Sequence, residues 1–347
     1  MRQGPGEPGL QGSAPRAQEA LRCRRKRPQP PAPDEHRQGR GADRQETELQ
    51  VAPGTYPLRG GPDGFESPEA ALHPILQPMS KEREVPKPGP GVRIFDSHAH
   101  IGWEKDPQKQ EQLIQRAAEY GVGRILDVGI DLASSRAARE RARTHEGLFA
   151  SAGLHPNDCS VFDEEWPELE ALGQSEDVVA IGETGLDFYW DEVPEQQQIR
   201  SLEAHLDLGK RTGKPVILHC RDAFSRLLDV LASWAPVHGI LHCFTAGPQE
   251  VAPCLDLGLY VSFAGPLTYK KNQALREAAA MVPDARLLTE TDAPFLPPQG
   301  KRGRRNEPSF LPLTIARMAE LRGTSFEACA QLCAANAERI FGLSPSA

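Results

Sequence analysis

Past Gly91 the chain repeats one pattern: a short β-branched or apolar run, then a helix-length amphipathic segment. The runs are VRIFDSH (92–98), GRILDVG (123–129), LFASAGLHP (148–156), VVAIGETGLD (178–187), PVILHC (215–220), GILHCF (239–244), LYVSFAG (259–265) and RLLTETD (286–292). Between them lie helical stretches such as DPQKQEQLIQRAAEYG, which spaces Leu113, Ile114, Ala117 and Ala118 at helical intervals. EQQQIRSLEAHLDLGKRTG and DAFSRLLDVLASWA do the same. Strand-helix alternation builds parallel sheets, and eight such units in about 250 residues match an α/β fold of the (β/α)8, TIM-like barrel type. An open doubly wound sheet is the alternative. It more often carries a Gly-rich phosphate loop after its first strand, whereas here the first strand runs into His-x-His.

The barrel predicts that chemistry sits at the C-terminal ends of the strands. Strand one ends with His98 and His100, and alternate strand residues project to one side. Strand four ends with Glu183, strand five with His219, strand six with His242 and strand eight with Asp292. Any one of these has an ordinary explanation: His219 as a satisfied core histidine, Asp292 as the cap of a following turn. Together they supply nitrogen and oxygen ligands of the kind zinc, manganese or iron takes, with magnesium reachable through the carboxylates. Six exceed the three or so protein ligands of a single catalytic zinc. They point to two divalent ions with one carboxylate as bridge, an arrangement used to hydrolyse phosphoesters.

Several motifs together resemble the TatD-related metal-dependent DNases. They are FDSHAH (95–100), GLHP (153–156), AIGETGLDFY (180–189), ILHCRDA (217–223), HCF (242–244), TETDAPFL (289–296), RGRRNEP (302–308) and NAERIFGL (336–343). The resemblance spans residues 92 to 343, and it implies a TIM-like barrel with a divalent metal centre. It further implies that His98, His100 and Asp292 hold one ion, that His219 and His242 hold the second, and that Glu183 bridges. No matching ligand position is substituted. The implied activity is a 3′→5′ exonuclease on single-stranded or frayed DNA, with two divalent ions (Mg, Mn or Zn) as cofactors. The rival is a barrel metallohydrolase of an amide, lactone or aminoacyl ester; many of those bridge their metals with a carboxylated lysine at strand four, where this chain has Glu183. A third reading is a metal-dependent scaffold without catalysis, which the intact ligand set disfavours.

Catalysis needs a base for the attacking water, and Asp292 beside the metal suits that role, with Glu183 as the other catalytic carboxylate. Phosphate needs donors. Arg221, two residues past His219, points the same way if the strand persists; a rim salt bridge is its alternative. His155, ending strand three, is a donor or a partner of the turn at Pro156. Lys301, Arg302, Arg304 and Arg305 make the loop 299–308 basic, either to hold a nucleic-acid backbone or as a solvated loop whose shape Asn306 and Glu307 fix. Tyr189 and Trp190 offer a stacking face to an unpaired base, or rim packing.

Charge and composition divide the chain. Of 40 basic and 48 acidic residues, residues 1–78 hold 11 and 10, so the remainder is acidic by nine charges. That argues against a passive duplex-binding module. Pro, Gly, Gln and Arg crowd the first eighty residues, which read as a disordered tail (1–90) ahead of a hydrolase barrel (91–345). RCRRKRP (22–28) is a solvated charge run or a localisation patch. Met79 is a plausible alternative start, testable by intact mass. Seven cysteines without regular spacing are no disulfide framework and suit a reducing, cytoplasmic setting. No long apolar run marks a membrane span or signal peptide. Oligomeric state is open.

Overall fold

The structure, a computed structural model, describes residues 84–345. The tail, its basic run and Met79 lie outside them, save residues 84–90. There Val85 is already buried and the Lys87 ammonium lies 4.8 Å over the Tyr120 ring.

Eight parallel strands follow one another around a single sheet in sequence order. They are β1 (Ile94–Ala99), β2 (Val122–Asp127), β3 (Leu148–Ala152), β4 (Val178–Asp187), β5 (Val216–Arg221), β6 (Gly239–Leu241), β7 (Tyr260–Phe263) and β8 (Leu287–Thr289). The segment after β8 returns to β1. The Asp292 N–H donates to the His98 carbonyl (2.9 Å), the His100 N–H to the Ala293 carbonyl (2.8 Å), and the Ser97 hydroxyl to the Thr289 carbonyl (3.1 Å). The sheet is thus a nearly closed barrel.

Helices cover it: α1 (Pro107–Glu119), α2 (Leu132–Thr144), α3 (Phe162–Gly173), α4 (Glu195–Thr212), α5 (Phe224–Ala232), α6 (Val251–Asp256), α7 (Gln273–Met281), α8 (Leu311–Arg322) and α9 (Phe326–Ile340). Their ends follow local chemistry. Asp106 caps α1 by accepting from the Gln108 N–H, and Asp131 and Ser134 form a reciprocal capping box on α2. Among the described residues, no helix is long and apolar enough to cross a membrane.

One apolar cluster takes a residue from every strand: Phe95, Leu126, Phe149, Ala180, Ile217, Ile240, Tyr260 and Leu288. All eight strands meet only along the barrel axis, so this is the interior filling. Ala337, Ile340 and Phe341 at the end of α9 close it from below, with Phe341 stacked on Phe95 at 5.6 Å. The layer matters for the site because strand residues two apart share a face. Directly above Ile217, Ile240 and Leu288 come His219, His242 and Glu290.

Five strands, β2, β3, β6, β7 and β8, stop short of the ends the sequence pattern predicts, and three of these bear on the site. β3, β6 and β8 stop at Ala152, Leu241 and Thr289, so His155, His242 and Asp292 occupy the segments just beyond. After β6 and β8, Cys243 (φ 43°) and Asp292 (φ 55°) turn the chain into the left-handed region. β4 spans the whole run VVAIGETGLD, so the expectation that Glu183 ends the strand is corrected. It runs on to Asp187, leaving Glu183 inside the strand.

Candidate metal centre

Glu183 reaches the axis through a break in register. Pairing of β4 with β5 shifts between Ile181 and Thr184, and Gly182 adopts φ 125°. A side chain at Gly182 would come within 2.7 Å of the Ile217 carbonyl oxygen, and one at Gly185 within 2.0 Å of that of His219. Only glycine permits the two strands to approach this closely.

The six residues expected as ligands converge on two neighbouring groups. In the first, His98 Nε2 and His100 Nε2 stand 3.2 Å apart. Glu183 Oε2 lies 3.5 and 3.6 Å from them, and Asp292 Oδ1 3.9 and 3.6 Å. In the second, the other Glu183 oxygen, Oε1, lies 3.0 Å from His219 Nδ1 and 2.9 Å from His242 Nε2; the two nitrogens are 3.4 Å apart. Four ligands about 2.1 Å from a tetrahedral ion stand roughly 3.4 Å from one another. Both groups bracket that spacing.

Hydrogen bonds on the far side of three of the four rings say what fills the space between. His100 Nδ1 donates to the Val128 carbonyl (3.1 Å), His242 Nδ1 to Glu290 Oε1 (3.2 Å) and His219 Nε2 to Asp187 Oδ2 (3.3 Å). With those hydrogens spent outward, the inward nitrogens present lone pairs. Lone pairs facing carboxylate oxygens at about 3 Å repel unless a proton or a metal ion lies between them. The donor set therefore fits divalent cations, held by outward-bonded imidazoles as metal-ligating histidines usually are.

The electrostatics without metal show the same demand. Burial pushes the Glu183 carboxyl up, but the neighbouring imidazoles, His242 foremost, outweigh it and hold the group well below the usual carboxylate range. Burial opposes charge on His242 too, yet Glu183 and Glu290 raise it well above an ordinary imidazole. His100 and His219 are raised against burial by Asp292, Asp187 and Glu183. His98 is lowered, by burial and then by the His242 charge against which its ring stacks at 3.9 Å.

Supporting carboxylates were not expected from the strand-end pattern. Asp96 accepts from the Thr291 N–H (2.9 Å) and hydroxyl (2.5 Å), which ties β1 to the residue before Asp292; burial pushes Asp96 up to about 8. Asp187 orients His219 and is itself held by the Asn157 side chain (2.9 Å). Glu290 orients His242 and accepts from the Cys243 N–H (2.8 Å). A signal for Glu290 existed: it follows Leu288 by two, on the face that fills the barrel.

His155 also faces the centre. Its Nδ1 accepts the Asn157 N–H (3.2 Å), leaving the hydrogen on Nε2, 3.7 Å from Glu183 Oε1. Burial, followed by the His219 charge, pushes it down to about 3, so it is neutral. The arginines divide. Arg221 lies with its guanidinium carbon 3.6 Å over the Tyr189 ring, and Arg302 lies 5.2 Å over Tyr269; neither makes an ion pair among the described residues. Arg305 instead pairs with Glu104 (3.2 Å). A cleft of about 230 Å³ opens there, lined by His100, Glu104, Lys109, Arg116 and Arg305. Asn306 shapes the basic loop by donating to the carbonyls of Thr291 (2.8 Å) and Phe295 (2.7 Å).

Residues 95–342 match the family model of TatD related DNases. An uncharacterised metal-dependent hydrolase of Bacillus subtilis, YabD, is 37% identical over 251 residues, covering 72% of this chain and 98% of the relative. A 3′-5′ ssDNA/RNA exonuclease TatD of Pantoea ananatis is 38% identical over 259 residues, covering 72% of this chain and all of the relative. The crystal structure of the TatD homologue YJJV from Escherichia coli superposes with a TM-score of 0.67 at 30% identity, covering 73% of this chain and 99% of that one. The chain belongs to the TatD-related DNase family of metal-dependent hydrolases.

Proposed function

We propose that this chain hydrolyses phosphodiester bonds of single-stranded or frayed DNA from the 3′ end, using two divalent cations. The observation that carries the reading is the division of Glu183: each of its oxygens serves a separate group of imidazoles, as a bridging carboxylate does. His98, His100 and Asp292 would hold one cation and His219 and His242 the other, with Glu183 shared. Four imidazoles favour zinc or manganese over magnesium, which prefers oxygen. When bound, the cations offset phosphate charge and make water acidic enough to attack near neutral pH.

The chain's own residues do the rest. Asp292 takes a proton from the attacking water as the water oxygen joins phosphorus; a phosphorus–ester oxygen bond breaks, and the departing ester oxygen takes a proton from solvent to leave as a hydroxyl. Neutral His155 donates its Nε2 hydrogen to a non-bridging phosphate oxygen and needs no change of protonation near pH 7, since its own value lies near 3. Arg221 and Arg302, without carboxylate partners among the described residues, are available to the flanking backbone phosphates, and Arg305 joins them if it leaves Glu104. The exonuclease names of relatives such as the Pantoea protein support the substrate.

The test is a 5′-labelled single-stranded oligonucleotide incubated with protein and Mg²⁺, Mn²⁺ or Zn²⁺, beside Asp292→Asn and a chelator. A ladder shortening from the 3′ end, absent from both controls, supports the proposal. An untouched oligonucleotide with all three metals overturns it and directs attention to amide, lactone and aminoacyl-ester substrates.

A further inference from the structure

Among the described residues five large apolar side chains stay more than a third exposed: Trp103, Phe188, Tyr189, Met281 and Leu296. Scattered singly, such residues need no explanation. Four of these five, however, follow ligand-bearing strands. Trp103 comes three residues after His100, Phe188 and Tyr189 directly after β4, and Leu296 four residues after Asp292.

They form two platforms, each tied to a different ligand group. On the side of His98, His100 and Asp292, the Trp103 ring stands edge-on to Phe295 at 5.2 Å, and Phe295 edge-on to His100 at 6.0 Å. Leu296 beside it holds φ 48°, a conformation costly for a leucine. Its carbonyl oxygen is locked where a side chain on Gly265 would sit, 2.1 Å away. The fold thus holds an apolar side chain in water at the expense of backbone strain.

On the side of His219, the Tyr189 N–H donates to Asp187 Oδ1 (3.0 Å), the carboxylate that orients that histidine. Arg221 covers one face of Tyr189, and Trp190 buttresses the ring edge-on at 4.9 Å. The cationic cover points to an anionic partner rather than an apolar protein surface.

We propose that the two platforms each stack one unpaired nucleobase, one on either side of the scissile phosphate, and that they make the site selective for single strands. This rests on the phosphodiesterase reading above and extends it. A phosphate seated among the ligands has a nucleoside on each flank, and every base offers a π-face to an aromatic ring. In a duplex those faces are covered by neighbouring base pairs, so only an unpaired or frayed strand can present them.

The experiment pairs protein variants with substrate lesions. Wild type, Trp103→Ala, Trp103→Phe and Tyr189→Ala are compared on a short oligothymidylate and on versions abasic at the 3′-terminal or the penultimate nucleotide. Affinity is read in parallel by anisotropy of a fluorescein-labelled phosphorothioate analogue. Trp103→Ala and Tyr189→Ala should each raise KM and Kd roughly 10-fold, with kcat changed much less. Each variant should become indifferent to one of the two abasic positions, and Trp103→Phe should restore most of the affinity. Losses that multiply at both positions overturn the proposal. So does a wild-type enzyme equally fast on all three substrates, whatever the folding of the variants. A wild type inert on every oligonucleotide refutes the phosphodiesterase reading, and the platforms with it.

Discussion

Ile217, Ile240 and Leu288 precede His219, His242 and Glu290 by two residues each, and the two sets form adjacent layers of one barrel. The lower layer is apolar and satisfied by burial alone. The upper layer buries Glu183, Glu290, His98 and His242 almost completely, and each charge there depends on another. Apolar burial is favourable wherever it occurs, while a buried charge is tolerated only with a partner. The difference teaches that the lower layer supplies stability and the upper one gives it up for a cluster able to hold metal ions, so substitutions in the two should separate cleanly.

The largest effect belongs to the group shared by both ligand sets. Glu183→Gln should lower kcat/KM by roughly 10³-fold, several kcal/mol at 1.36 kcal/mol per tenfold, and reduce bound Mn²⁺ or Zn²⁺ in equilibrium dialysis. Phe95→Ala in the lower layer should do the reverse: about 3–5 kcal/mol lost in urea unfolding, with activity per folded molecule nearly unchanged. If Phe95→Ala abolishes metal binding in its folded form, the layers are not separable.

His205 sharpens the comparison from outside both layers. It lies fully buried on α4, accepts the Leu154 N–H (3.0 Å) and donates to the Ser201 carbonyl (2.7 Å). Among the described residues no carboxylate faces it, and burial pushes it down to about 4, below the roughly 6.5 of an ordinary imidazole. The fold favours neutral His205. Its stabilisation is complete above pH 6.5 and is lost as pH falls through about 4. That amounts to about 3 kcal/mol, which a urea-denaturation series against pH should show in wild type and not in His205→Gln. The smallest effect belongs to Glu290→Gln, which leaves every ligand in place and frees only the orientation of His242. Metal affinity should fall about 10- to 100-fold; an unchanged affinity would reduce Glu290 to a structural role.

Much of this was readable from the sequence because strand geometry is periodic. His98 and His100 meet at their Nε2 atoms, as alternate positions on a strand suggest, and the eight apolar runs mark all eight strands in order. What escaped did so for local reasons. Strand ends depend on single left-handed residues, Cys243 and Asp292, that composition does not announce. Glu183 depends on a register break at Gly182 that only contact with Ile217 explains. Asp96, Asp187 and Glu290 read as ordinary strand carboxylates until their partners, up to 195 residues away, come into view. Trp103 carried no signal at all, since exposure is a property of the fold.

The bond between Asp96 and Thr291 spans those 195 residues, and it sets an order on synthesis. A chain made from its N-terminus delivers His98 and His100 early, but Asp292 and the Asn306 side chain that fixes its neighbours emerge nearly two hundred residues later. Domains complete their folding only as their distant pairings become available. On the ribosome, then, the proposed ligand set stays incomplete until the eighth strand has emerged, and a fragment cut just short of that point carries five of the six ligands and lacks Asp292.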